Sequence, residues 1–119
     1  MISMNKWRVE FCEEFDKEFA AFSLELQDVI LFRLGILAKT GPQLGRPAVD
    51  TLKGSKHANM KELRLSFEGR PWRIAFAFDP NRKAIVLVAG NKSGIPQRQF
   101  YKALIKVADQ RFDNHLKRL

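Results

Sequence analysis

The stretch ELRLSFEGRPWRIAFAF, residues 62–78, decides the fold because it reads as two strands joined by a tight turn. From Leu63 to Phe67, apolar residues alternate with polar ones, the period-two pattern of a strand with one buried face. Residues 68–71, EGRP, supply a turn, and the alternation resumes from Trp72 to Phe78. We therefore predict two antiparallel strands that follow each other directly in the chain.

The segments on either side add further strands and helices. Downstream, the apolar run 85–88 is typical of a central strand covered on both faces. Apolar residues at helical spacing from Phe100 to Leu116 predict a C-terminal helix. Upstream, alternation over residues 7–11 predicts a strand, and two apolar helical stripes follow it, the second running from a Ser23 cap to a stop at residues 40–42.

The resulting order is strand, two helices, three strands and a helix. It predicts an α+β domain in which an antiparallel sheet carries an N-terminal helical hairpin and a C-terminal helix. Residues 41–59, with several glycines, prolines and polar residues, are predicted to form a loop. No linker or internal repeat divides the chain, so residues 1–119 are predicted to form a single domain.

Composition restricts the class of protein. The chain is 45% hydrophobic and 29% charged, which suits a globular domain and argues against disorder. No apolar run approaches the ~20 residues that cross a bilayer, and residues 1–7 contain no stretch of signal-peptide length. Cys12 is the single cysteine, so an internal disulfide is excluded, and we expect it to be a buried structural thiol. These features predict a cytoplasmic protein that does not bind a membrane.

Charge is distributed unevenly along the chain, whose formal net charge is +8. Residues 1–28 hold seven acidic and three basic side chains, a net charge of −4. The remaining residues hold eighteen basic and six acidic side chains, a net charge of +12. This asymmetry indicates a polyanionic partner, with nucleic acid as the first candidate and a merely soluble basic surface as the alternative.

Several short motifs, taken in order and spacing, resemble the phage-derived branch of the HigB-like toxins in the RelE/ParE superfamily. They are GPQLGRP at 41–47, LKG at 52–54, KELR at 61–64, GRPWRIAF at 69–76, AIVL at 84–87, GNK at 90–92 and YKAL at 101–104. The resemblance covers roughly Trp7 to Leu116. It implies a twisted antiparallel sheet flanked by helices, cleavage of mRNA often at the ribosome, and a separately encoded helix-turn-helix antitoxin.

The resemblance also suggests catalytic residues. Arg64 and Arg73 have the same parity on adjacent strands, so both side chains are expected on one sheet face, gripping the scissile phosphate. Lys92 is expected to stabilise developing charge, and Tyr101 to assist proton transfer or stack on a base. Here Trp72-Arg73 replaces the Tyr-Arg pair of the better-known RelE pattern. The alternative is that both arginines are exposed strand residues, or are paired with Glu62 on the same face.

A second set of residues completes the predicted site. His57 is the side chain in the basic loop whose ordinary pKa suits acid–base chemistry near neutrality, the alternative being a surface histidine. The chain contains neither a zinc pattern nor a phosphate-binding glycine loop, so no metal and no cofactor are expected. Further contacts to the RNA backbone are predicted from Lys53, Lys56, Lys61 and Arg98. Lys61 has the parity opposite to Arg64, so its contact requires a bulge or a strand edge.

Two functions remain open at this stage. The first is a metal-independent mRNA endoribonuclease, expected to depend on the ribosome, that acts as the toxin of a toxin–antitoxin pair. The second is a non-catalytic ParE-like module that binds gyrase or only its antitoxin, since a shared fold does not fix function.

Overall fold

A computed structural model of the chain describes residues 7–119. The prediction that residues 1–7 contain no signal peptide rests partly on residues 1–6, which lie outside the described part of the chain. The elements are β1 (Arg8–Phe11), α1 (Glu13–Ala20), α2 (Leu24–Thr40), a 3-10 turn (Gly41–Gln43), β2 (Val49–Thr51), β3 (Met60–Phe67), β4 (Arg70–Phe78), β5 (Lys83–Asn91) and α3 (Gln97–Lys117). Within residues 7–119, no helix is long and apolar enough to span a membrane.

The five strands form one sheet in the order β1-β5-β4-β3-β2. The α+β class, the helical hairpin and the C-terminal helix are confirmed. The predicted hairpin is present with Arg64 directly opposite Arg73, and β5 pairs antiparallel to β4. Two details differ from the prediction. β1 joins the edge of the sheet parallel to β5, and part of the predicted loop forms the short edge strand β2 against β3.

Helices cover both faces of the sheet. On one face α1 and α2 seal the apolar side of the hairpin, where Phe22 meets Trp72 at a ring-centroid distance of 5.6 Å. On the other face α3 packs on β4 and β5, and its Phe112 is buried. Phe15, Ile30 and Phe76 are fully buried in the core. Each such side chain contributes roughly 1.5–3 kcal/mol through its removal from water.

The boundaries of α2 follow from local chemistry. The Ser23 hydroxyl accepts a hydrogen bond from the amide of Leu26 at 3.2 Å, which confirms the predicted cap. The helix ends at Gly41, whose φ of 69° is available to glycine at little cost. A side chain at this position would also overlap the Trp7 indole, so Gly41 lets β1 and the end of α2 approach closely.

Candidate functional site

Glu62 is the centre of an ionic cluster on the α3 face of the sheet. Its side chain is only 5% exposed, because α3 covers this part of β3. The Tyr101 hydroxyl donates a hydrogen bond of 2.7 Å to Glu62 Oε1, and Arg73 Nε lies 3.5 Å from the same oxygen. Arg64 Nη2 approaches Glu62 Oε2 at 3.3 Å. One carboxylate therefore lies between two guanidinium groups and a phenol.

Arg73 is less accessible than the sequence predicts. Its side chain is 14% exposed, and its Nε donates to the Tyr101 hydroxyl at 3.3 Å while Nη1 donates to the Trp72 carbonyl at 3.0 Å. Ala75 and Ala77, which share the strand face of Arg73, are both fully buried and leave no open space beside it. Their small side chains make room for α3, which packs on β4.

Arg64 is the more accessible of the two arginines, with a side chain that is 37% exposed. Its Nη2 also lies 3.6 Å from Asp50 Oδ2, on the neighbouring edge strand. Hydrogen bonds from the Thr51 amide and from Arg46 lower the pKa of Asp50 below its ordinary value. Asp50 therefore stays ionised beside Arg64. Of the two interpretations of Arg64, the one that pairs it with Glu62 describes its geometry in the structure.

Tyr101 and Lys92 contact each other beside Glu62. Lys92 Nζ lies 5.3 Å from the centroid of the Tyr101 ring, a cation–π arrangement, and the Lys92 amide donates to the Pro71 carbonyl at 2.8 Å. Burial raises the pKa of Tyr101, and its hydrogen bond to Glu62 raises it further. The phenol is therefore a stable hydrogen-bond donor at neutral pH and a poor base.

These residues border an open groove of about 390 Å³ between the middle of β3, the loop after β2 and the start of α3. Its charged and phenolic lining consists of Arg46, Asp50, Lys53, Glu62, Arg64, Lys92 and Tyr101. The four cations outnumber the two carboxylates, so the groove carries a net positive charge. A groove of this charge suits a phosphate-bearing ligand.

The structure brings five of the nine predicted site residues together. Arg64, Lys92, Tyr101 and Lys53 line the groove, and Arg73 supports it from behind through Glu62 and Tyr101. We call Glu62, Arg64, Arg73, Lys92 and Tyr101 the groove cluster. Glu62 is predicted from the sequence only as an alternative partner of the two arginines. Its parity with Arg64 already places it on the same face of the sheet.

The remaining basic candidates are placed elsewhere or are already engaged. Lys61 Nζ donates to the Thr51 hydroxyl at 2.9 Å and borders a separate depression beside β2. This position agrees with its parity opposite to Arg64. Arg98 is exposed in the first turn of α3. Their contacts with RNA stay predictions.

His57 and Lys56 belong to a second group of charges, which ties the loop before β3 to α3. His57 Nε2 lies 2.8 Å from Asp113 Oδ1, and the Lys56 ammonium pairs with the same carboxylate. The Lys56 amide donates to Asp109 at 3.2 Å, and the Ser55 hydroxyl also donates to Asp109. We call these five residues the loop cluster. It lies outside the groove, so the structure separates His57 from the arginines it was expected to assist.

The loop cluster has the features of a structural tie. Hydrogen bonds from Lys56 and then His57 lower the pKa of Asp113, and the same contact with Asp113 raises the pKa of Lys56. The His57 ring also meets Phe112 edge-on at 4.9 Å. Within residues 7–119, no group of three or more His, Cys, Asp or Glu residues is arranged to hold a metal ion.

Two other residues behave as structural groups. His115, in the last turn of α3, pairs through Nε2 with the buried Asp79 at 2.9 Å. Cys12 is buried as predicted, burial raises the pKa of its thiol, and the thiol donates weakly to the Leu87 carbonyl at 3.5 Å. A raised pKa disfavours the nucleophilic thiolate.

The fold and groove define the class of protein. A mutant of the E. coli toxin RelE in which two arginines are replaced by alanine has been solved in the free state. It superimposes with a TM-score of 0.58 over 84% of this chain and 94% of the RelE chain. Sequence identity is 11%, so this likeness concerns the fold. The chain has the RelE fold, a twisted mixed sheet with helices on both faces.

The family follows from the sequence matches. Residues 17–113 match the family described as phage-derived protein Gp49-like. HigB3 of Mycobacterium tuberculosis, a protein named as a toxin, is 42% identical to this chain over 101 residues. The match covers 85% of this chain and 86% of HigB3. HigB2 of the same organism is 50% identical over 93 residues, but the chain spans only 46% of its length. The chain belongs to the Gp49-like family and is HigB-like in sequence.

Proposed function

We propose that this protein is the toxin of a toxin–antitoxin pair and that it inhibits translation by cleaving mRNA in the groove beside Glu62. The observation that carries the proposal is the groove cluster, in which Arg64 and Arg73 pair with one carboxylate and Lys92 lies over the ring of the tyrosine bonded to it. The relatives named as toxins and the RelE fold support the toxin class. We expect action in the cytoplasm on ribosome-bound mRNA, and neutralisation by a helix-turn-helix antitoxin.

The groove contains groups suited to each step of RNA cleavage. Attack of the 2′-oxygen on phosphorus requires that its proton be removed, and we assign this step to the Glu62 carboxylate, which lines the groove. Arg64 and Lys92 stabilise the additional negative charge on the phosphorane. The P–O5′ bond then breaks, and the departing 5′-oxygen takes a proton from Lys92. The products are a 2′,3′-cyclic phosphate and a 5′-hydroxyl.

Arg73 and Tyr101 are assigned positioning roles in this reaction. Tyr101 donates to Glu62 Oε1, and Arg73 neutralises the same oxygen from behind. Together they hold the carboxylate in one orientation and leave Oε2 directed toward Arg64. Because cationic side chains meet the electrostatic demands of the reaction, the proposal requires no metal ion.

The proposal is tested with the full chain on translating ribosomes. We expect cleavage of the message, with cyclic phosphate at the new 3′ ends. Arg64→Ala should reduce the rate about 100-fold, the usual consequence of removing one charge-stabilising donor. The matched control is Arg70→Ala, which removes an exposed arginine from the turn of the same hairpin and should retain the rate.

Two results would contradict the proposal. One is wild-type cleavage that leaves 3′-hydroxyl and 5′-phosphate ends, which are the products of attack by water and not by the 2′-oxygen. The other is growth arrest with intact mRNA, which would favour the ParE-like alternative. Thermal melts of both variants accompany the assay, so that a loss of rate is interpreted only in a folded protein.

A further inference from the structure

The outer surface of α2 carries apolar side chains that the fold leaves uncovered. Ile30, Leu34 and Leu37 point into the core, whereas Leu24, Leu31, Phe32 and Ile36 face solvent. Phe32 is 68% exposed and Leu31 is 50% exposed. At 100° per residue Phe32 and Ile36 lie on the side of the helix opposite the core, and Leu24 and Leu31 lie on one flank of that side. A contiguous exposed apolar patch of this kind marks an interaction surface.

Gly35 lies in the middle of this patch. It occupies a helix interior, where glycine is less stable than alanine, and its φ is not positive. A β-carbon there would meet nothing within 4 Å, so the monomer contains no packing reason for a glycine. A bare backbone beside an exposed Phe32 is suited to close approach by a second helix.

The charges on the same face are self-complementary. Asp28 lies toward the start of α2 and Lys39 toward its end, both are exposed, and within residues 7–119 neither has an ion-pair partner. If two copies of α2 meet antiparallel about a two-fold axis between residues 33 and 34, Asp28 of each copy faces Lys39 of the other. The same register sets Phe32 against Gly35.

We propose that a second copy of this chain covers the outer face of α2, forming an antiparallel two-fold dimer. A two-fold interface requires a patch that is complementary to itself, and this register satisfies the requirement twice, through the pair Asp28–Lys39 and the pair Phe32–Gly35. Each Phe32 ring fills the space above the partner's Gly35, and each end of the interface carries an ion pair. Because α2 lies on the opposite side of the sheet from the groove, both grooves stay open. The proposal does not depend on the proposed RNA cleavage.

Sedimentation equilibrium of the full chain and its charge-reversal variants tests this interface. The wild type is expected to dimerise at low micromolar concentration. Asp28→Lys and Lys39→Asp should each weaken dimerisation at least tenfold, because two like pairs replace two opposite ones. The double variant with both changes should return to within threefold of the wild type, since each lysine again faces an aspartate. Lys106→Glu, on the exposed side of α3, should leave dimerisation unchanged.

A second variant tests the helix contact itself. Gly35→Gln introduces a good helix former, so the monomer should fold at least as well, but its side chain occupies the space required by Phe32. It is expected to be monomeric, with a circular-dichroism melt no lower than that of the wild type. A wild type that stays monomeric at high micromolar concentration would overturn the proposal. Failure of the double charge reversal to restore dimerisation would also overturn it, and the face would then belong to a different partner such as the antitoxin.

Discussion

The groove cluster and the loop cluster lie on the same side of the sheet and are built from similar residues, but they differ in charge balance. In the loop cluster Lys56 and His57 meet Asp113, and Asp109 accepts from backbone and hydroxyl donors. In the groove cluster the Glu62 carboxylate faces Arg64 and Arg73, and Lys92 lies over the neighbouring Tyr101 ring. A balanced group ties a loop to a helix, whereas an excess of cations leaves charge free for an anionic ligand.

The largest expected effect is at the centre of the groove cluster. Glu62→Gln leaves Arg64 and Arg73 without their shared anion, which should lower the free energy of unfolding by about 3 kcal/mol. Removal of the proposed proton acceptor should also reduce cleavage roughly 1000-fold. Urea denaturation and ribosome cleavage assays measure the two quantities. The matched variant in the loop cluster is Asp113→Asn, which should retain the cleavage rate; equal losses of rate in both would remove the functional distinction.

Arg73→Ala should have the next largest effect. We expect cleavage to fall about 100-fold, because Glu62 and Tyr101 lose the group that orients them. In contrast to an exposed strand arginine, Arg73 is mostly buried, so unfolding should also become easier by about 2 kcal/mol. His57→Ala provides the comparison and should leave the rate unchanged. A loss of rate in His57→Ala at preserved stability would return His57 to the site.

The salt dependence of RNA binding should distinguish cations that contact the RNA from cations that are already paired within the loop cluster. If the four groove cations contact phosphates of single-stranded RNA, a rise from about 50 to about 200 mM salt should weaken binding roughly 50-fold. Lys92→Ala should reduce the slope of log affinity against log salt by about 0.7, the contribution of one phosphate contact. Lys56→Ala, which removes a lysine already paired with Asp113, should leave the slope unchanged. Filter binding of labelled RNA is sufficient, and identical slopes for all three proteins would exclude Lys92 from the contact surface.

The smallest expected effect concerns acid stability and the buried Asp79. Burial alone would raise the pKa of Asp79, but hydrogen bonds from His115 and from the amides of Lys83 and Asn81 lower it below the ordinary value of 3.8. A lowered folded-state pKa stabilises the protein above pH 3.8, and this stabilisation is lost as the pH falls through the folded-state value. Asp79→Asn should therefore melt lower at neutral pH and show a flatter decline in melting temperature below pH 4. A wild-type decline as flat as the variant's would contradict this account.

The elements that the sequence predicts best are those with strong local periodicity. The hairpin at residues 62–78 and the core face of α2 follow from apolar spacing alone, and the Ser23 cap follows from hydroxyl chemistry. The pairing of β1 with β5 is not accessible in this way, because it joins segments distant in the chain. The three-residue strand β2 is too short to show a period.

The candidate site shows the same limit. Parity places Arg64 and Arg73 on one face of the sheet, and the register of β3 and β4 confirms it. Parity does not reveal what covers that face. The burial of Arg73 and the separation of His57 both depend on where α3 lies, which is a tertiary contact between distant segments. The sequence therefore predicts which residues share a surface better than it predicts which are accessible.

The parallel pairing of β1 with β5 affects the order in which the protein can fold during its own synthesis. Val9 pairs with Ala84, so the ribosome must add about 75 residues before β1 finds its neighbour. The loop-closure entropy of this long-range contact must be offset by the packing that follows. Tyr101, which completes the groove, emerges later still on α3. A nascent chain that has not yet exposed α3 therefore has no complete groove, and any activity that requires the groove begins only after that helix has emerged and packed.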